Sequence, residues 1–211
     1  MWSHVGVVKA VTWSEYRGSI GDRSEMFAQL AEGWPVRRAL YPGSYVDLSP
    51  STAIESVTYL DTDRRAARFF ADPELVEADL GGRRAAGAGA TVTFLARDYT
   101  QPLPVPTGGF DLLISLFAGP VWDNCRSYLR PGGLLLANTS HGDACLAALD
   151  PGLRLVAAVS TRDGRYRMGT TNLDGYLIPK KPAAADPEEI RRSGRGIAYT
   201  KSAFAYLFEL T

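Results

Sequence analysis

The run Phe-Asp-Leu-Leu-Ile-Ser-Leu-Phe-Ala-Gly at 110–119 constrains the fold more than any other stretch. It is apolar almost without a break, as a strand buried on both faces is. Such a strand needs cover on both sides, and parallel sheets between layers of helices supply it. The flanking pattern agrees. Strand-like runs at 37–41, 56–63, 91–98 and 134–140 alternate with helical patterns at 14–33, 63–72, 121–129 and 143–149. From 153 the pattern changes. Residues 153–171 read as two strands around the Asp163-Gly164 turn, and 202–210 alternates as a closing strand. The sequence therefore predicts an α/β fold: a Rossmann-like, doubly wound, mostly parallel sheet of seven strands, the last antiparallel.

The 211 residues, 45% of them apolar, suit one core. A helical segment over 1–35 is expected to lead into an α/β domain over 36–211. Within that segment, 14–33 reads as a capped helix. Asp22 serves its turn, Met26, Phe27 and Leu30 form its apolar stripe, and Gly33 ends it. The glycine-rich stretch 79–90 reads as a linker, since no strand leads into its Gly-Ala-Gly-Ala end. Residues 130–133, Arg-Pro-Gly-Gly, read as a turn before the fifth strand.

Charge narrows the partners. Lys plus Arg and Asp plus Glu are each 23, so nothing draws the whole chain to nucleic acid or acidic lipid. The basic clusters at Arg64–Arg65, Arg83–Arg84, Lys180–Lys181 and Arg191–Arg192–Arg195 read as solvated faces. Cys125 and Cys145 make no disulfide framework and fit a reducing compartment. The N-terminus has no secretory signal pattern, and no stretch of about 20 apolar residues occurs. A cytoplasmic protein without nucleic-acid or membrane partners is expected. Two separated histidines, His4 and His141, and two lone cysteines give no metal-ligand spacing, so no metal is expected.

The segment Tyr41-Pro42-Gly43-Ser44-Tyr45-Val46-Asp47 follows the first strand, where such folds seat nucleotides. A dinucleotide loop wants three glycines there, so that the backbone can approach a diphosphate. Here Tyr45 puts bulk, and Asp47 a repelling charge, where the second and third would stand. No Gly-Lys-Ser/Thr follows, so a P-loop is excluded as well.

Five stretches together resemble the class I S-adenosylmethionine-dependent methyltransferases over about 36–210: "ALYPGSYVD", "VTYLDTD", "FLARDY", "FDLLISL" and "YLRPGGLLLAN". Where a typical member has an acid, Tyr41 stands. The resemblance implies S-adenosylmethionine as cofactor, and this ligand carries no phosphate. Its cationic groups tolerate Asp47, and Gly43 allows it to lie across the strand end. It also implies contacts from Tyr41, Pro42, Gly43 and Ser44, a ribose acceptor at Asp61 with Thr62 beside it, and adenine contacts from Asp98, Tyr99 and Leu116. Asp61 lies 18 residues after Gly43, near the spacing of about 20 for such an acid. Asp63 faces the same side and also reads as a helix cap, and Asp98 also reads as a turn residue.

Past the fifth strand, Asn138, Ser140, His141 and Asp143 cluster at the carboxyl edge of the sheet, where open α/β folds bind ligands. His141 is the candidate base or orienting group, with Asn138 and Ser140 holding the acceptor. Asp143 reads as the cap of the following helix. The stretch 194–206, with Tyr199, Thr200 and Lys201, either borders an acceptor pocket or is an ordinary last strand. The family's Asn/Asp-Pro-Pro-aromatic motif is absent after "FDLLIS", which leaves a small-molecule acceptor. The expected function is small-molecule methyl transfer. The alternatives are a non-catalytic binding or assembly protein of the same fold, and an enzyme using S-adenosylmethionine for other chemistry.

Overall fold

The structure is a computed structural model that describes residues 11–85 and 91–211. His4 and the Gly-Ala-Gly-Ala stretch at 87–90 lie outside the described residues.

Five strands run parallel: β1 (Arg38–Pro42), β2 (Ser56–Leu60), β3 (Thr91–Leu95), β4 (Phe110–Ser115) and β5 (Leu129–Ala137). β6 (Leu153–Arg162) and β7 (Arg165–Gly169) form a hairpin, and β8 (Ala205–Leu210) inserts antiparallel between β5 and β6. The order is β3-β2-β1-β4-β5-β8-β6-β7. Both arms of the hairpin join the sheet, so among the described residues it has eight strands rather than the expected seven. The chain leaves β1 toward β2 on one side and later returns to β4 on the other. The switch point therefore lies between the carboxyl ends of β1 and β4.

Alternation along each strand explains the unbroken apolar runs. Ala39 and Tyr41 of β1, with Leu112 and Ile114 of β4, meet one helical layer. That layer holds α1 (Trp13–Ile20), α2 (Ser24–Gly33), α3 (Arg64–Phe70) and α4 (Pro73–Leu80). Leu40 and Leu113 point the other way, toward α5 (Val121–Cys125) and α6 (Asp143–Leu149). Ile190 of α7 (Pro187–Ser193) packs outside α6 on Cys145 and Leu146.

Several boundaries differ from expectation. Residues 14–33 form two helices, because the chain breaks at Gly21 with φ +87. Asp22 does serve that turn, its Oδ1 accepting from Ser24 N at 3.0 Å. β4 stops at Ser115, and Phe117 adopts a left-handed φ of 60. Arg130–Gly133 is a bulge inside β5: the pairing jumps from Phe110↔Leu129 to Leu112↔Leu134, with Gly132 at φ +68. α4 forms at 73–80, where the sequence predicts no helix, directly before the glycine-rich stretch. Asp72 caps it, accepting from Leu75 N. Asp163 and Gly164 both take positive φ, as the hairpin turn requires. Among the described residues, no helix is long and apolar enough to cross a membrane.

A buried ion pair ties the helical layer to the first strand. Arg23, between α1 and α2, is 3% exposed, and its Nη1 donates to Asp47 Oδ2 at 2.9 Å. Asp47 is fully buried, and Tyr41 Oη donates to the same oxygen at 3.2 Å. Ser49 N and Oγ donate to Asp47 Oδ1 at 3.1 and 2.5 Å. The Phe117 and Phe204 rings lie 5.0 and 5.9 Å from the guanidinium. Burial first, and then the Asp47 charge, hold the Tyr41 phenol well above its ordinary value, so it remains a donor. Removing one partner strands the other charge in the core. Arg23→Ala is expected to lower unfolding free energy by about 3–5 kcal/mol in urea titrations.

Candidate functional site

Local chemistry sets the loop after β1. Gly43 N and Ser44 N donate to Leu60 O at 2.7 and 3.3 Å, which holds the bend against the end of β2. Gly43 has φ +66, and a Cβ there would stand 2.6 Å from Ala118 Cβ. Only glycine fits this position. Asp61 follows directly after β2. Its Oδ2 accepts from Tyr45 N at 2.7 Å and its Oδ1 from Asp63 N at 2.8 Å. One carboxylate thus joins the two loops, with lone pairs remaining on both oxygens.

Tyr45 holds φ +48, an uncommon conformation for a residue with a side chain. Its ring meets Tyr16 edge-on at 5.0 Å and lies 5.3 Å below the Arg65 guanidinium. The ring therefore leaves sideways, between α1 and α3. Tyr41 and Pro42 are buried, and the Tyr41 ring points into the core toward Arg23 rather than to the edge. Ser44 is buried and Thr62 is exposed.

Asp63 caps α3, accepting from Arg65 N at 2.7 Å and pairing with the Arg65 guanidinium at the same distance. Asp98 is exposed, and its Oδ1 accepts from Thr100 N at 2.9 Å. That amide lowers its carboxyl value. Half-buried Tyr99 donates from Oη to Gly119 O at 3.1 Å. Leu116 is 2% exposed and belongs to the core on the α1–α4 side. Phe117, next along the chain, is 49% exposed.

At the end of β5, buried Asn138 accepts through Oδ1 from Phe117 N and Ser140 N, each at 3.3 Å. Its amide thus joins the turn after β4 to the turn after β5. Ser140 and His141 are exposed. A Cβ on Gly119 would lie 2.8 Å from His141 Cβ, so this glycine lets the histidine segment lie close. Gly196 packs its Cα against the Thr139 carbonyl, where a Cβ would fall 1.9 Å away. The 194–206 stretch therefore borders the same turn. Tyr199 is buried, and Lys201 Nζ sits 3.8 Å over the Tyr176 ring.

Asp143 departs from expectation. It is the first residue of α6, but its carboxylate caps a different helix. Oδ2 accepts from Val121 N at 2.8 Å and Trp122 N at 3.3 Å, at the start of α5, and from Ser115 Oγ at 2.5 Å. Burial raises its carboxyl value, opposed by those donors, while Oδ1 has no partner. Sequence reasoning missed both this cross-helix cap and Arg23. Neither carries a local signal, since an Arg at a helix start and an Asp in a first turn are ordinary surface residues.

The carboxyl edge thus gathers Gly43, Tyr99, Asn138 and His141 around the 117–119 turn, with Asp61 bonded to the Tyr45 amide and Asp98 exposed just past β3. Tyr41 and Leu116 face inward. Among the described residues, no cluster of three or more His, Cys, Asp or Glu suits a metal ion. Gly43→Ala is expected to destabilise by about 1–3 kcal/mol through backbone strain and the Ala118 contact. Adding Ala118→Gly should restore part of that loss, as a double-mutant cycle in thermal unfolding would read.

No protein-family model matches the chain. No curated protein matches it either. Solved structures do resemble it. A DhpI-SAM-HEP complex aligns at TM-score 0.44 and 18% identity, over 94% of this chain and 92% of that one. The N-methyltransferase NodS from Bradyrhizobium japonicum, bound to S-adenosyl-L-homocysteine, aligns at TM-score 0.43 and 16% identity, over 72% and 82%. A branched-chain polyamine synthase from Thermus thermophilus, bound to N4-aminopropylspermidine and 5'-methylthioadenosine, aligns at TM-score 0.48 and 18% identity. That alignment covers 89% of this chain and 55% of the synthase. At these scores the likenesses are coarse, and the chemistry of this chain rests on the residues at its sheet edge.

Proposed function

We propose that the protein is an S-adenosylmethionine-dependent methyltransferase acting on a small molecule. The observation that carries this reading is Asp61. It stands at the carboxyl end of β2, adjacent to the switch point, and both its oxygens are oriented by loop amides. Such an acid suits a ribose diol. The residues fit a nucleoside at this end. Asp61 would hold the ribose, and exposed Asp98 with Tyr99 would meet the base. Asp47 contributes nothing to the ligand, because Arg23 and Tyr41 engage it in the core.

When bound, the cofactor supplies a methyl group on a sulfonium, activated toward in-line displacement. The protein's part is positioning and exclusion of water. Asn138 stiffens the two turns that would flank the acceptor. The His141 imidazole takes the acceptor's proton where one must leave, and Ser140 orients the acceptor. Ala118 touches Gly43, so a ligand lying directly over that glycine requires the 117–119 turn to lift.

That same contact favours a second reading, a non-catalytic binding protein of this fold with the crevice closed. Calorimetry with S-adenosylmethionine and S-adenosylhomocysteine separates the two. The methyltransferase reading expects saturable binding of both. Asp61→Asn should weaken it about ten- to a hundredfold, matching a lost charge-assisted hydrogen bond of about 1.5–3 kcal/mol. Heat absent at millimolar ligand, in wild type and Ala118→Gly alike, would favour the non-catalytic reading. Once an acceptor is known, unchanged turnover in His141→Ala would remove the histidine from the mechanism.

A further inference from the structure

The β6–β7 hairpin carries charge that the fold does not use. Its register pairs Arg162 with Arg165 and Ser160 with Arg167. These four side chains therefore leave one face of the hairpin, and all are exposed. Tyr166 and Met168 alternate to the other face and pack toward α2. The four residues and Asp163 line a hollow of about 470 Å3.

Among the described residues, one solvent-exposed ion pair is the only salt bridge on this face. Arg162 lies 3.7 Å from Asp163, but both side chains are almost wholly in solvent, at 93% and 91% exposed. Among the described residues, Arg165 and Arg167 have no carboxylate partner. The remaining residues, 1–10 and 86–90, contain no Asp or Glu that could supply one. Arg162 and Arg165 stand directly opposite, a pairing of like charges that weakens a strand pair. β7 is also the edge strand, where charge discourages association with another sheet. Edge protection does not need three arginines gathered over one hollow.

Guanidinium forks match the geometry of a phosphate, and two or three of them around one anion make a strong site. Among the described residues no aromatic ring lines the hollow, so it offers no platform for stacked bases. The face lies on the carboxyl edge of the sheet, since β6 runs parallel to β5. Ser160 and Arg162 also share their side of the sheet with Ala158, which packs in the α5–α6 layer. The 138–141 turn leads into that layer, two strand spacings (about 10 Å) from β6 and three (about 14 Å) from β7. We propose that the Arg162–Arg165–Arg167 face binds the phosphate group of a small molecule. It is an anion site distinct from the nucleoside site and independent of whether a cofactor binds at Gly43.

Titration of the full chain with pyrophosphate at low ionic strength, followed by calorimetry and by arginine side-chain N–H resonances, tests this. Saturable binding is expected, with the Arg165 and Arg167 resonances shifting. Arg165→Gln/Arg167→Gln should weaken it by about tenfold or more. Its unfolding temperature should match or exceed that of the wild type, because a like-charge contact is relieved. Arg165→Lys/Arg167→Lys keeps the charge without the forks and should also bind more weakly. Equal binding by wild type and the Gln variant, or no saturation in the wild type, would overturn the site and leave edge protection as the role of these arginines. Tighter binding of a short single-stranded DNA than of pyrophosphate would overturn it in favour of a nucleic-acid backbone contact.

Discussion

The buried pair of Arg23 and Asp47 is the constraint on which the rest depends. Two charges are taken out of water here, which is tolerable only when each is paired and hydrogen-bonded. Asp47 meets that condition with four donors: Arg23, Tyr41, and the amide and hydroxyl of Ser49. The pair draws three separate pieces together: the junction of α1 and α2, the end of β1, and the loop beyond it. The family resemblance leads one to expect an acid at 41 and a glycine at 47. In this chain the acid sits six residues later, and the tyrosine reaches across to it. The exchange preserves a carboxylate near the strand end but turns it inward. What reaches the sheet edge is the backbone of Gly43 to Tyr45, together with Asp61.

That arrangement has a local cost. Tyr45 must adopt a left-handed conformation that a glycine would take without strain. Its amide bonded to Asp61, and its ring held between Tyr16 and Arg65, offset the cost. At the switch point, the turn 117–119 acts as the common contact of the segments on either side. It touches Gly43 through Ala118, Tyr99 and His141 through Gly119, and Asn138 through the Phe117 amide. The Asp143 carboxylate fixes the far side of this turn by binding Ser115 before it and Val121 after it. Displacement of the turn would therefore be felt at both the Gly43 end and the His141 end of the edge.

Much of the architecture was legible in advance. Alternating strand and helix patterns and the apolar run at 110–119 imply a covered parallel sheet, because a strand without a polar face has no other stable place. Asp163-Gly164 announced its hairpin, since two positive φ values in succession suit few residue pairs. Element ends were less legible. The strand at 110 stops at Ser115 although its apolar composition continues, because Leu116 turns into the core and Phe117 reverses the backbone. The Arg-Pro-Gly-Gly segment looked like a turn, yet neighbouring strands hold it within β5 as a bulge.

The candidate site divides in the same way. Sequence alone determined which residue types stand near the strand ends, because chain order and strand period decide which residues reach the carboxyl edge. It therefore named Gly43, Asp61, Asp98, Asn138 and His141 for that edge. Only the tertiary structure decided where their neighbours point and whom they meet. Tyr41 and Leu116 turn inward, Asp143 caps a helix other than its own, and Arg165 and Arg167 gather beside Arg162 on one hairpin face without a carboxylate partner among the described residues. Each of those outcomes depends on contacts between segments far apart in the chain. Partner choice by a buried charge or a carboxylate is settled by burial and hydrogen-bond geometry, and local sequence encodes neither.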